Sequence, residues 1–311
     1  MPSGRTLWGL PTETVPDPAQ KADHDMADLS YLDAVILGVV EGLTEYLPVS
    51  STAHLTITEK LLGLSVDDKA VTAYTAVIQL GAIAATLLYF FRDIVRFVVV
   101  WFRGLLNAEA RHDPDYRLAW AVVIGSIPVG IVGYLGRDAI EGTLRSLWVI
   151  AAALVLWSIV MVVAERVYAR YEARGRVRDE HSVGPVDGLV IGLVQCFSLI
   201  PGVSRSGATI SAGIMRGVNR VTATRLSFFL AIPALTAAGL FQAVQEKEGL
   251  TALGIGPVVV GLVVAFVVAL ASIAWLLRFV ATNTLMAFVW YRVALGLLLA
   301  GLLGAGVISA T

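Results

Sequence analysis

The chain has 311 residues, 57% of them hydrophobic and 15% charged, with a formal net charge of -1 and a mean hydropathy of +0.77. That balance excludes an ordinary soluble protein and describes one whose solvent is the bilayer, with no nucleic-acid partner to expect. The lone Cys196 excludes an intramolecular disulfide and a multi-cysteine metal site, and it reads as a small buried hydrophobe.

Residues 1–30 are polar, carry Pro2, Pro11, Pro16 and Pro18, and lack the basic start and apolar core of a signal peptide, so they read as a flexible extension. The next stretch is apolar over residues 34–40, then carries Glu41 and Glu45 and stops at Pro48. It is too short and too acidic to cross a bilayer, which takes about 20 apolar residues. Residues 71–91, 118–135 and 147–164 are long and apolar enough. Between the first two of these, residues 93–106 mix Arg96 and Arg103 with Val, Phe and Trp, as in a helix lying on the membrane interface. Residues 186–200 again form a short apolar run, which ends at Pro201 and enters a cluster of Gly, Ser and Arg. Three more spans follow, at residues 226–244, 256–277 and 285–307. Short apolar segments that break at a proline are candidates for re-entrant helices, which enter the membrane and leave on the same side.

The two short segments resemble each other. Asp33, Gly38, Val40, Glu41, Thr44 and Pro48 have counterparts in Asp187, Gly192, Val194, Gln195, Ser198 and Pro201, with one residue deleted before the second proline. A Ser-rich turn and three spans follow each copy, so residues 31–180 and 181–311 read as two repeats. Because an odd number of spans separates the copies, the repeat is inverted. The expected fold is an all-α integral membrane protein with six transmembrane helices and two re-entrant helical hairpins in an inverted-topology repeat. Short basic loops stay cytoplasmic. The loops with Arg92, Arg96, Arg103, Arg111 and Arg117 and with Arg166, Arg170, Arg174, Arg176 and Arg178 fall on one side, together with Arg216, Arg220, Arg225 and Arg278. On that reading the first re-entrant segment opens to the outside, the second to the cytoplasm, and both termini lie outside.

Glu41 and Glu45 stand four apart on one helical face. Two carboxylates so close in a poorly hydrated site need a shared proton or a cation, which makes Mg²⁺ or Ca²⁺ the natural third party. Ser50, Ser51 and Thr52 form a helix start, and His54 follows Ser51 by three residues, a spacing that sets an imidazole beside a hydroxyl. Taken alone, this is more simply a Ser and Thr cap followed by a partly exposed histidine. The glycines, hydroxyls and guanidinium of residues 201–209 suit a phosphate: Ser204, Ser206 and Thr209 donate hydrogen bonds, and Arg205 offers a charged fork. His24, His112 and His181 lie outside the apolar sequence and suggest no role.

The strings EGLTEYLPVSSTAH, residues 41–54, and PGVSRSGAT, residues 201–209, resemble the two signature segments of the bacterial undecaprenyl-diphosphate phosphatases, the family linked to bacitracin resistance. The resemblance extends through AVIQLGAI, residues 76–83, and covers about residues 33–307. It implies hydrolysis of undecaprenyl diphosphate to undecaprenyl phosphate and inorganic phosphate, which recycles the lipid carrier for cell-wall synthesis. It further implies a divalent cation, a bacterial plasma-membrane location and a site reached from outside. By position, Glu41 and Glu45 match the family's acidic pair, Ser51 and His54 its nucleophile and base, and Ser204, Arg205 and Thr209 its diphosphate-binding segment. Which of Ser51 and His54 attacks phosphorus stays open, as does a homodimer. Where some relatives carry an acid four residues before the glutamine of the third string, this chain has Thr75 before Gln79. Inverted repeats and interrupted helices also describe secondary transporters, so a carrier or flippase of a phosphate-bearing lipid is the alternative expectation.

Overall fold

The structure is a computed structural model that describes residues 29–64, 69–142, 144, 146–245 and 253–310. Residues 1–28 of the expected N-terminal extension lie outside the described residues. Ser30 opens the first helix, α1 (Tyr31–Thr44), through a capping box in which its hydroxyl accepts from the Asp33 N–H while the Asp33 carboxylate accepts from the Ser30 N–H. The chain then forms α2 (Ser51–Leu61), α3 (Lys69–Tyr89), α4 (Phe91–Leu106), α5 (Pro114–Leu135) and α6 (Leu147–Ala173). After them come α7 (Pro185–Gln195), α8 (Arg205–Met215), α9 (Arg220–Gln245), α10 (Ile255–Thr282) and α11 (Met286–Gly304). The caps are legible in the chain: Asp113 and Pro114 start α5, Ser146 starts α6, and Pro185 starts α7.

Six of these helices, α3, α5, α6, α9, α10 and α11, are long and apolar enough to cross a membrane. Their outward faces keep large apolar side chains exposed, among them Leu156, Ile159, Val263, Val267, Leu297 and Leu298. The interior, by contrast, buries Glu41, Glu45, Gln195, Ser206, Thr209 and Arg292. This inverted distribution of polarity is what a bilayer solvent selects, since lipid meets the apolar shell and the polar groups satisfy one another inside. The protein is therefore an all-α, multi-pass membrane protein.

The halves of the chain pack reciprocally. Helix α1 lies along α10 of the second half, and α7 lies along α5 of the first, while α3 meets α9 and α6 meets α11. Glycines permit both lateral contacts. A Cβ at Gly38 would stand 2.7 Å from the Gly261 carbonyl oxygen, and one at Gly192 would stand 2.1 Å from the Gly125 carbonyl oxygen. The second approach is the closer, so Gly192→Ala is expected to force α7 off α5 and to destabilise the protein by about 1–3 kcal/mol. A thermal unfolding midpoint in detergent that stays at the wild-type value would contradict this.

At one end of the bundle the basic residues are held in ion pairs. Arg225 meets Glu180 at 2.7 Å and Asp93 at 3.1 Å, Arg96 meets Asp115 at 2.8 Å, and Arg220 meets Glu165 at 2.6 Å. Asp187, at the start of α7, takes Arg178 at 2.7 Å and Arg216 at 2.9 Å. The hydrogen bond from Arg178 to Asp187 holds this guanidinium above its ordinary pKa. Helix α4 lies at the same end and packs on α5. Asp93 and Arg96 of α4 join the network, while Val95, Val98, Phe102 and Leu105 stay exposed, the two-sided character of an interfacial helix.

Candidate active site

Two short turns, each between a broken helix and its partner, build the site. Ser50 and Ser204 begin α2 and α8 with φ of 78° and 77°, and among the described residues they are the non-glycine residues with positive φ. Such backbone is strained and persists where surrounding contacts fix it. Each serine turns its hydroxyl back to accept a helix N–H, from Ala53 at 3.5 Å and from Gly207 at 3.1 Å. One constant offset carries Asp33 to Asp187, Thr44 to Ser198, Ser50 to Ser204, and the limits of α2 to those of α8. The deletion placed before Pro201 is thus not needed; the turns align without a gap, and Gly202 rather than Pro201 takes the place of Pro48.

Hydrogen bonds join the turns to each other. Ser206 donates to the Leu47 carbonyl at 2.9 Å. Arg292, fully buried in the middle of α11, donates to the Pro48 carbonyl at 3.3 Å and to the Gly202 carbonyl at 2.9 Å, the equivalent oxygen of each turn. Its remaining contacts are the Ser158 hydroxyl at 3.3 Å and the Ala153 carbonyl at 3.4 Å, so neutral oxygens rather than a carboxylate surround it. Arg292→Met would strand several buried acceptors at once. It is expected to cost about 3 kcal/mol or more, read as a lowered unfolding midpoint, and an unchanged midpoint would show that the turns hold without it.

Where the turns meet, Arg205 faces Glu45. Its Nη2 lies 3.1 Å and its Nε 3.3 Å from Glu45 Oε1, and its Nη1 donates to the Ser227 carbonyl at 2.8 Å. The other Glu45 oxygen, Oε2, accepts from the Ser51 hydroxyl at 2.7 Å and from Gln79 Nε2 at 3.3 Å. Thr209 Oγ1 lies 2.7 Å from Ser227 Oγ, which in turn lies 3.2 Å from Arg205 Nη1. The hydroxyls of Thr209 and Ser227 therefore orient the guanidinium from behind. Glu45, Ser50, Ser51, Gln79, Ser204 and Arg205 line a cavity of about 560 Å³ that continues past Gly133 and Tyr134 of α5 and Phe241 of α9. That direction leads away from the end that carries α4.

Several of the expected site residues make other contacts than their spacing suggests. Ser51 and His54 are not hydrogen-bonded: the Ser51 hydroxyl goes to Glu45, while His54 Nδ1 donates to the Ser50 carbonyl at 2.7 Å and its Nε2 accepts from the Tyr291 hydroxyl at 2.6 Å. The ring also stacks on Tyr291, with centroids 5.6 Å apart. Helical spacing placed the imidazole near the serine, but a partner from α11 claims its second nitrogen. Ser206 and Thr209, expected to bind diphosphate, are fully buried and point their hydroxyls into the fold rather than into the cavity. Gln79, Ser126, Gln195 and Ser198 line the cavity without having been singled out as binding residues. Arg292 was also missed, although a lone arginine inside an apolar span is a signal the sequence does carry.

Glu41 is fully buried, and neither of its carboxylate oxygens has a hydrogen-bond partner among the described residues. A carboxylate without a donor in a dry site calls for a proton or a cation. Among the described residues no group of three or more His, Cys, Asp and Glu side chains is gathered to hold a metal. A cation here would have Glu41 and Glu45 as its carboxylates, a set that fits an ion which takes one or two carboxylates and completes its shell with water and substrate phosphate, as Mg²⁺ does.

A family model described as bacitracin resistance protein BacA matches residues 34–298, which include both turns and every residue of the cluster. The undecaprenyl-diphosphatase of Cutibacterium acnes is 52% identical over 290 residues, 91% of this chain and 100% of that protein. That of Acidothermus cellulolyticus is 53% identical over 279 residues, 90% of this chain and 99% of its own. Undecaprenyl-diphosphatase 1 of Streptomyces coelicolor is 51% identical over 284 residues, 91% of this chain and 99% of its own. With the match running through both turns and along the spans that carry them, the chain belongs to the bacitracin resistance protein BacA family.

Proposed function

We propose that this protein is an undecaprenyl-diphosphate phosphatase, which hydrolyses undecaprenyl diphosphate to undecaprenyl phosphate and inorganic phosphate and so returns the lipid carrier to cell-wall synthesis. The observation that carries the reading is the contact chain Ser51–Glu45–Arg205 at the wall of one cavity. A serine hydroxyl held by a carboxylate is a nucleophile with its base in place, and a buried guanidinium beside it is a seat for phosphate. The names of the similar proteins and of the family agree with this activity.

In the reaction the terminal phosphate takes the guanidinium of Arg205 in exchange for part of its bond with Glu45. Glu45 accepts the Ser51 proton as Oγ attacks the terminal phosphorus. The bond from that phosphorus to the bridging oxygen breaks, Glu45 passes its proton to undecaprenyl phosphate as that leaves, and Ser51 carries the phosphoryl group. Water, deprotonated by Glu45, then releases inorganic phosphate and restores the serine. Arg205 stabilises the charge that spreads over the phosphoryl oxygens, the larger part of catalysis in phosphoryl transfer. A divalent cation, Mg²⁺ or Ca²⁺, would be held by Glu41 and Glu45 and would neutralise phosphate charge. His54 keeps the turn of Ser50 in place through its bond to that carbonyl, and Ser206 and Thr209 position the second turn and Arg205.

The reciprocal packing of α1 on α10 and α7 on α5 supports two repeats, residues 31–180 and 181–311, set in opposite directions across the membrane. The gathering of basic residues at the α4 end supports that end as cytoplasmic, which turns the cavity toward the outside of a bacterial plasma membrane. The same reciprocal halves favour a second reading, a carrier of the lipid phosphate. Detergent-solubilised protein given undecaprenyl diphosphate with Mg²⁺ or Ca²⁺ separates the two. Release of inorganic phosphate supports the hydrolase; no release, together with lipid movement in proteoliposomes, sinks it.

A further inference from the structure

Past the polar cluster, the cavity reaches Pro233 of α9, and the same proline lines a second space of about 290 Å³. This second space is a groove between α5 and α9, roofed by Trp101 and Phe102 of α4, and almost wholly apolar. The walls run on from one space to the other. Val122 and Val123 of α5 face the groove, and Ser126, Val129 and Gly130, one and two helical turns on, face the cavity. At the junction Gly130 is exposed and a Cβ added to it would meet nothing within 4 Å, so no neighbouring side chain crowds that face of α5.

We propose that this groove binds the distal isoprene units of the substrate's tail, an assignment that rests on the hydrolase reading for the identity of the lipid. A diphosphate at Arg205 sits deep in the bundle, so its tail must leave between helices rather than into water. Helices α5 and α9 wall both spaces, and the tail of a headgroup seated at Ser51 is aimed along them, past Gly130 and Pro233 toward the end that carries α4. A polyprenyl chain is apolar and long enough to fill both compartments, whereas a short tail ends inside the first. The protein thus measures chain length through contacts remote from the chemistry, and because the tail comes from lipid and not from water, close packing in the groove supplies the gain.

Val123→Trp on α5 and Val98→Trp on α4 test this, since both valines border the groove and are half exposed, so the added indole has room to lie in it. The readout is the Kd of solubilised protein for undecaprenyl phosphate and for farnesyl phosphate, neither of which contains an anhydride to cleave. Each variant is expected to bind the long lipid about tenfold more weakly and the short one as the wild type does. Unchanged affinity for undecaprenyl phosphate in both variants overturns the proposal and leaves the groove to bulk lipid. An equal loss for both lipids overturns it too, as a change in the headgroup site. Phosphate release from undecaprenyl diphosphate is measured on the same preparations. A wild type that discriminates tail length without releasing phosphate sinks the hydrolase reading and spares the groove.

Discussion

Arg205→Ala is expected to lower kcat/KM for undecaprenyl diphosphate by about a thousandfold, and Arg205→Lys to recover little of it. The guanidinium faces the cavity beside Ser51, and it is oriented before substrate arrives by the Ser227 carbonyl at 2.8 Å and by the hydroxyls of Ser227 and Thr209. A lysine supplies charge without the planar fork, so it cannot hold both the Ser227 carbonyl and a phosphoryl oxygen. Because charge builds on the bridging oxygen as its bond to phosphorus breaks, a guanidinium placed against the diphosphate acts in the transition state, and the loss falls on kcat as well as on KM. Steady-state kinetics on purified variants check this, and a rise in KM with kcat unchanged would make Arg205 a ground-state anchor only.

Glu45→Gln gives the second large effect, a fall in kcat of about a hundredfold to a thousandfold. The amide keeps the size of the side chain and still accepts through one oxygen, but it takes no proton from Ser51 and presents no charge to Arg205. The substitution also leaves a buried guanidinium without its counterion, so the unliganded protein loses about 3 kcal/mol or more. Phosphate-bearing lipid, which supplies the missing charge, is expected to restore part of the unfolding midpoint. Kinetics near the wild-type level in Glu45→Gln would pass the base role to another group.

Much of the fold is legible in the chain because bilayer thickness sets a length that apolar runs must meet, and six of them do. The short segments before the two turns stand out for the opposite reason: Glu41, Glu45 and the prolines interrupt runs that the membrane would otherwise accept whole. Helix ends are less legible. The span expected at residues 147–164 continues as helix to Ala173, because residues beyond the apolar stretch, Arg166 and Arg170 among them, extend the helix without changing what the lipid sees. In the site, residue types and positions single out Ser51, Glu45 and Arg205, which the fold brings into contact, but partners distant in sequence redirect the neighbours. Tyr291 lies 237 residues from His54, and no local spacing announces that its hydroxyl takes the imidazole. Ser206 and Thr209 lie in the first two turns of α8 on its inward face, a facing set by its packing in the fold and invisible in the string itself.

The central claim is that Ser51, held by Glu45, attacks a polyprenyl diphosphate seated on Arg205. Phosphate release from undecaprenyl diphosphate by purified wild type and Ser51→Ala, side by side in Mg²⁺ or Ca²⁺, tests it most directly. Steady release is expected from the wild type and about a thousandfold less from Ser51→Ala, with undecaprenyl phosphate still bound by the variant. Full release by Ser51→Ala would contradict it.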